Sequence, residues 1–220
     1  MRNPIAIIIL LVVCLSVNSQ AKFSLEQYSY LGSSTTTANT VSPIAHYKSK
    51  SNWYAEARYN YEEAQTFSLY AGRTFAKENR FSYSFTPMVG GMTGKLKGAA
   101  LGLNMELDFE NFNFSSQSQY ALMTGNAYSN FFFSWSEFSY RPVSWFYGGL
   151  SMQHTQMYRT NALVEPGVML GFSINQWTIP LYGFIPYSDN RYFIVGLGYE
   201  WKHDGNNKRK PPPSYLTQKD

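Results

Sequence analysis

The chain has 220 residues, of which only 15% are charged while 18% are aromatic, and its formal net charge is +4. Low charge with many rings is the reverse of a disordered composition, and the length suits one domain with one core or one closed barrel. Between Lys22 and Trp201 there are 12 Lys+Arg against 12 Asp+Glu, so the body is neutral and offers no basic face for nucleic acid.

Residues 1–21 read as a secretory signal peptide. Arg2 gives a positive start, Ile5 to Val17 is an apolar run, and Ser19-Gln20-Ala21 places small residues at the cleavage-determining positions. The run is too short to span a membrane as a helix, which takes about 20 residues. Cys14 is the only cysteine and lies in this leader, so the rest of the chain holds no disulfide, thiol nucleophile or cysteine metal site. Val13 is too bulky for the position before a lipidated cysteine, which argues against an anchor on Cys14.

From Lys22 onward the hydrophobic period is two, which assigns strands rather than helices. Twelve segments follow in order: Lys22 to Leu31, Pro43 to Lys50, Asn52 to Tyr61, Phe67 to Phe75, Phe81 to Val89, Lys97 to Asp108, Phe112 to Leu122, Tyr128 to Tyr140, Trp145 to Gln153, Glu165 to Ile174, Trp177 to Ile185 and Arg191 to Trp201. In the clearest, Trp53, Ala55, Ala57, Tyr59 and Tyr61 share one face, and Tyr54, Glu56, Arg58 and Asn60 the other. The first, second, seventh, eighth, ninth and eleventh alternate weakly, so ten strands is the alternative count. Gly90, Gly91 and Gly94 fall after the fifth segment and are expected to serve turn geometry.

Export, segments of about ten residues and alternating connections favour a membrane barrel over a soluble sandwich or lipocalin. With a periplasmic N-terminus, Glu110-Asn111, Arg141 to Ser144 and Asn175-Gln176 are the short inner turns, and Gly32 to Ser42 is the longest outer loop. A mean hydropathy of −0.31 fits, because a barrel shows lipid only every second residue. The expected fold is therefore all-β: a closed antiparallel transmembrane β-barrel over residues 22–201, in the bacterial outer membrane and surrounded by its lipid.

The same parity selects a polar interior: Glu56, Arg58, Tyr70, Asn104, Glu106, Gln117, Glu137, Gln153, Glu165 and Glu200, with Asp108 and Gln119 beside them. These residues either plug a narrow barrel with paired charges or line a slightly cation-preferring pore. Glu106, Asp108 and Glu110 also invite a calcium reading, but a calcium site needs six or more oxygens and Glu106 and Asp108 belong to one strand face.

The runs Asn52 to Glu62, Ser68 to Gly72 and Trp135 to Tyr140 resemble a recurring pattern in an uncharacterised family of small outer-membrane β-barrels of Bacteroidetes. The resemblance implies an outer-membrane barrel and brings no catalytic residue. The tail departs from it, because some twenty residues follow the aromatic end of the last strand.

No catalytic constellation emerges. The histidines stand in His46-Tyr47-Lys48 and His154-Thr155-Gln156, neither of which is the His-x-Ser pair of outer-membrane lipid hydrolases, and His203 lies in the tail. There is no nucleophile elbow, phosphate loop or zinc-ligand spacing, so no catalytic residue, cofactor or metal is expected. A lipid-modifying enzyme, hydrolase or acyltransferase, would need His154 joined to Ser151 or to a serine on a neighbouring strand. The leading expectation is non-enzymatic: a narrow passive pore, or a structural or accessory barrel. Residues 202–220 carry Lys202, Lys208, Arg209 and Lys210 before Pro211-Pro212-Pro213, so they leave the sheet as a basic, proline-rich periplasmic tail. A periplasmic protein or peptidoglycan is the partner class this composition suggests; the oligomeric state is not specified by the sequence.

Overall fold

The computed structural model describes residues 21–32, 40–125 and 130–201. The leader up to Gln20 and the tail from Lys202 lie outside them.

Thirteen strands follow one another: β1(Lys22–Gly32), β2(Val41–Lys48), β3(Trp53–Tyr59), β4(Thr66–Arg73), β5(Phe75–Lys77), β6(Phe81–Gly94), β7(Gly98–Phe109), β8(Phe112–Met123), β9(Phe131–Val143), β10(Phe146–Met157), β11(Leu163–Ile174), β12(Trp177–Phe184) and β13(Tyr192–Trp201). Both β4 and β5 pair with β6, so they form one stave interrupted at Thr74. The result is a closed antiparallel barrel of twelve staves. β1 pairs with β13, and the β4–β6 pairing completes the ring.

Closure leaves no sheet edge, so every backbone ladder is satisfied within the wall, as hydrocarbon requires. The alternation then decides what each side meets. Leu150 is 62% exposed, Val89 61% and Val168 51%. A water-soluble barrel would bury such side chains, whereas a membrane barrel turns them to lipid. Aromatic rings gather where the strands leave the apolar band. Four of the five tryptophans, Trp53, Trp145, Trp177 and Trp201, point outward near the end where β1 begins. There Trp201 packs on Phe23 at 4.9 Å and Tyr199 on Trp177 at 4.6 Å, forming an interfacial girdle.

The connections are asymmetric. At the girdle end, hereafter the turn end, they are two to four residues long, and at the opposite, loop end three to eight. Glu110 and Asn175 open two-residue turns with φ of 54° and 57°, the left-handed geometry that matches strand twist.

Several boundaries differ from the sequence reading. β9 continues to Val143, so the turn is Ser144-Trp145 and Arg141 belongs to the strand. Pairing with β8 and β10 outweighs Pro142 because it stands at the last turn of the ladder, where a missing donor costs little. β6 continues to Gly94, so Gly90 and Gly91 are strand residues rather than a turn. Gly90 is required by packing: a Cβ there would lie 2.4 Å from the Tyr70 ring.

Candidate functional site

Among the described residues the lumen gathers most of the buried polar side chains, and its geometry follows from strand parity. On β3, Tyr54, Glu56 and Arg58 point inward and are buried, while Trp53, Ala55, Ala57 and Tyr59 face lipid. Inward positions on β1, β2, β4, β7 and β8 place Glu26, His46, Tyr70, Asn104 and Gln119 around them.

These side chains form a continuous network. Glu56 accepts hydrogen bonds from the Tyr54 hydroxyl and the Arg58 Nε. His46 bridges two carboxylates, with Nε2 2.9 Å from Glu26 and Nδ1 3.2 Å from Glu56. Asn104 Nδ2 donates to Glu56 at 3.1 Å. The Arg58 guanidinium donates to Glu62 at 3.3 Å and to Gln119 at 2.7 Å, and lies 4.6 Å from the ring centroids of both Tyr61 and Tyr70. Arg58 is 2% exposed and Glu56 1%, so these charges are held by one another rather than by water.

Some of these contacts are chords across the barrel. β3 and β8 are separated by three staves, yet Arg58 meets Gln119 and Tyr61 Oη donates to Gln117 at 3.1 Å. β1 and β9 are separated by four, yet Tyr28 and Trp135 pack at 5.3 Å. Trp135 also meets Tyr182 at 5.1 Å and Phe184 at 6.0 Å, and its Nε1 donates to Ser151 at 2.8 Å. Together they make a septum of side chains at mid-height. Above it, inward Tyr30, Phe133, Glu165 and Tyr192 are partly open to solvent; below it, Lys22, Lys48, Asp108, Glu137 and Arg141 are.

All ten residues singled out from the sequence point inward, but they do not form one cluster. Glu56, Arg58, Tyr70 and Asn104 meet in the network, with Gln117 joined to it through Tyr61. Glu106 shares the Asn113 amide with Asp108, at 3.2 Å and 2.9 Å, on the turn-end side. Glu137 accepts from the Tyr182 hydroxyl at 2.9 Å, Gln153 stands opposite Glu165 in register, and Glu200 opposite Ser24. Tyr61, assigned from the sequence to the apolar face, turns into the lumen because β3 ends at Tyr59 and parity stops with it. Glu26, His46 and Glu62 are not among the residues singled out from the sequence. The signal was parity, obscured on β1 and β2 because Tyr28 and Ile44 turn apolar groups inward while Gln27 turns a polar one outward.

The serine–histidine pairing that an enzyme would need takes a different form. Ser151 faces the lumen and His154 faces lipid, so these two cannot meet. His154 stands opposite Ser134 and packs on Phe132 at 5.4 Å. The Ser134 hydroxyl accepts from Ser118 at 3.1 Å, within a lipid-facing serine ladder that also joins Ser116 to Ser136 at 2.9 Å. No group of three His, Cys, Asp or Glu side chains among the described residues is arranged to hold a metal ion.

No family model and no curated protein sequence matches the chain. Solved structures do. A KdgM porin superposes with a TM-score of 0.58 at 10% identity, over 81% of this chain and 99% of the porin. A KdgM porin in complex with disordered oligogalacturonate gives 0.56 at 9% identity, over 82% and 99%. A NanC porin gives 0.52 at 10% identity, over 81% and 99%. At such identities the likeness establishes the twelve-stave barrel and leaves function to the site.

Proposed function

We propose that this protein is a narrow passive pore of the bacterial outer membrane with no enzymatic role. The observation that carries the reading is a lumen with partly exposed polar and charged side chains on both sides of the septum, crossed at mid-height by side chains alone. Neither an inserted helix nor a folded-in domain fills the described barrel. A septum of side chains can open by rotamer changes without breaking the wall's backbone ladder. A barrel serving only as an anchor could be filled with apolar groups, which cost less than buried charges. The porin folds named above support this reading, and the motif resemblance supports an origin among the small barrels of Bacteroidetes. The basic tail is then assigned to the periplasm, where peptidoglycan or a periplasmic protein is its partner class.

The second reading is a permanently closed structural barrel, favoured by the deep burial of Arg58, Glu56 and Trp135. Planar-bilayer recording of the purified, refolded protein separates the two. Steady single-channel steps support the pore. Silence from a barrel that migrates as folded, heat-modifiable protein refutes it and leaves the structural role.

A further inference from the structure

Fixed charges in the lumen differ in how they are compensated. The central carboxylates are held locally: Glu26 and Glu56 by His46, and Glu56 and Glu62 by Arg58. Glu137 stands apart. It points inward from β9, two residues from the septum's Trp135, and is partly open to solvent. It accepts one hydrogen bond, from Tyr182, and forms no ion pair among the described residues.

Glu165 repeats the arrangement at the loop end. It is partly open and forms no ion pair among the described residues. It stands opposite Gln153, which is 6% exposed with an Nε2 that meets no acceptor. Aromatic rings stand near both carboxylates: Tyr182, edge-on to Trp135, at Glu137, and Tyr192, stacked on Phe184 at 5.1 Å, on the loop side. Ring faces are negative and favour a passing cation over an anion.

We propose that Glu137 is the charge-selecting residue of the lumen and that the permeant class is small cations, organic amines included. This rests on the pore reading. Beside the septum, a carboxylate with no ion-pair partner among the described residues attracts cations and repels anions over about 10 Å. Polyanions meet the same field as a barrier.

The test is the reversal potential of the purified protein in a planar bilayer under a tenfold KCl gradient, with Glu137→Gln and Glu137→Asp alongside. The wild type is expected to favour K⁺ over Cl⁻. Glu137→Gln should lower that preference about fivefold, a figure for one unit charge acting with opposite sign on the two ions at this range. Glu137→Asp should keep it. Should Glu137→Gln fail to fold, spermine and oligoglutamate serve as probes of the wild type: spermine should block the current in a voltage-dependent way and oligoglutamate should not. A conducting but unselective or anion-preferring wild type overturns the proposal and leaves the pore standing. Cation preference unchanged in Glu137→Gln overturns the role of Glu137. No conductance from folded protein removes the pore and this inference together.

Discussion

Replacing Arg58 by Met probes the septum at its most charged point. The guanidinium is 2% exposed, serves Glu56, Glu62 and Gln119, and lies between two tyrosine rings. Met keeps much of the volume but removes the charge and every donor. Glu56 then retains His46 at 3.2 Å as its one cationic neighbour, and Glu62 retains the hydroxyls of Ser68 and Tyr70. Breaking a buried pair from one side costs about 3–5 kcal/mol, because a carboxylate is left in a dry site. Removing both sides, as Glu56→Gln with Arg58→Met, should restore stability to within about 2 kcal/mol of the wild type, since a neutral pair carries no such penalty. Urea unfolding of the barrel refolded into vesicles, followed by tryptophan fluorescence and gel mobility, reads both numbers. A loss below about 1 kcal/mol in the single variant, or a double variant weaker than the single, would contradict the mutual compensation of Arg58 and Glu56.

Other substitutions test other parts of the structure. Trp135→Ala removes the ring that joins Tyr28, Tyr182 and Phe184 across the lumen, so single-channel conductance should rise. Unchanged conductance would mean that ions do not pass the septum. Leu150→Arg puts a charge at the centre of the lipid-facing band and should cost about 2–4 kcal/mol in the same unfolding assay. Gly171→Ala places a methyl group 2.0 Å from the Tyr147 ring and should destabilise by about 1–3 kcal/mol, with the loss relieved in a Gly171→Ala, Tyr147→Ala pair. His154→Ala should leave conductance and the acyl composition of surrounding lipids unchanged, as measured by bilayer recording and lipid mass spectrometry. A change in acyl composition would instead implicate the lipid-facing His154 and Ser134.

The wall was more legible in the sequence than the lumen, for a physical reason. Lipid accepts only apolar groups, so outward positions such as Leu101, Leu103, Met105 and Leu107 announce themselves by period two alone. The interior accepts whatever fills space and finds a partner. Ile44, Met88, Phe184 and Ile194 are buried there as fully as Glu106 or Asn104. That mixture weakened contrast on β2 and β12, and it hid Glu26 and His46 while leaving Glu56 and Arg58 plain. The limits of β6 and β9 were misjudged because Gly90, Gly91 and Pro142 are turn residues by local preference. Ladder pairing with neighbouring strands overrode that preference. Chords such as Arg58 to Gln119 depend on strand order around the ring and on stagger, which no local pattern encodes.

Cysteine accessibility during conductance recording asks whether solute passes through this lumen. Residues 22–220 contain no cysteine, so single reporters can be placed on either side of the septum and outside the wall. Glu165→Cys and Glu137→Cys point inward, on the loop and turn sides, and Ser136→Cys points outward. A charged, membrane-impermeant thiol reagent should reduce the current through the first two and leave the third unaffected. Current that ignores the reagent at both inward positions, in protein shown to be modified, would contradict the account.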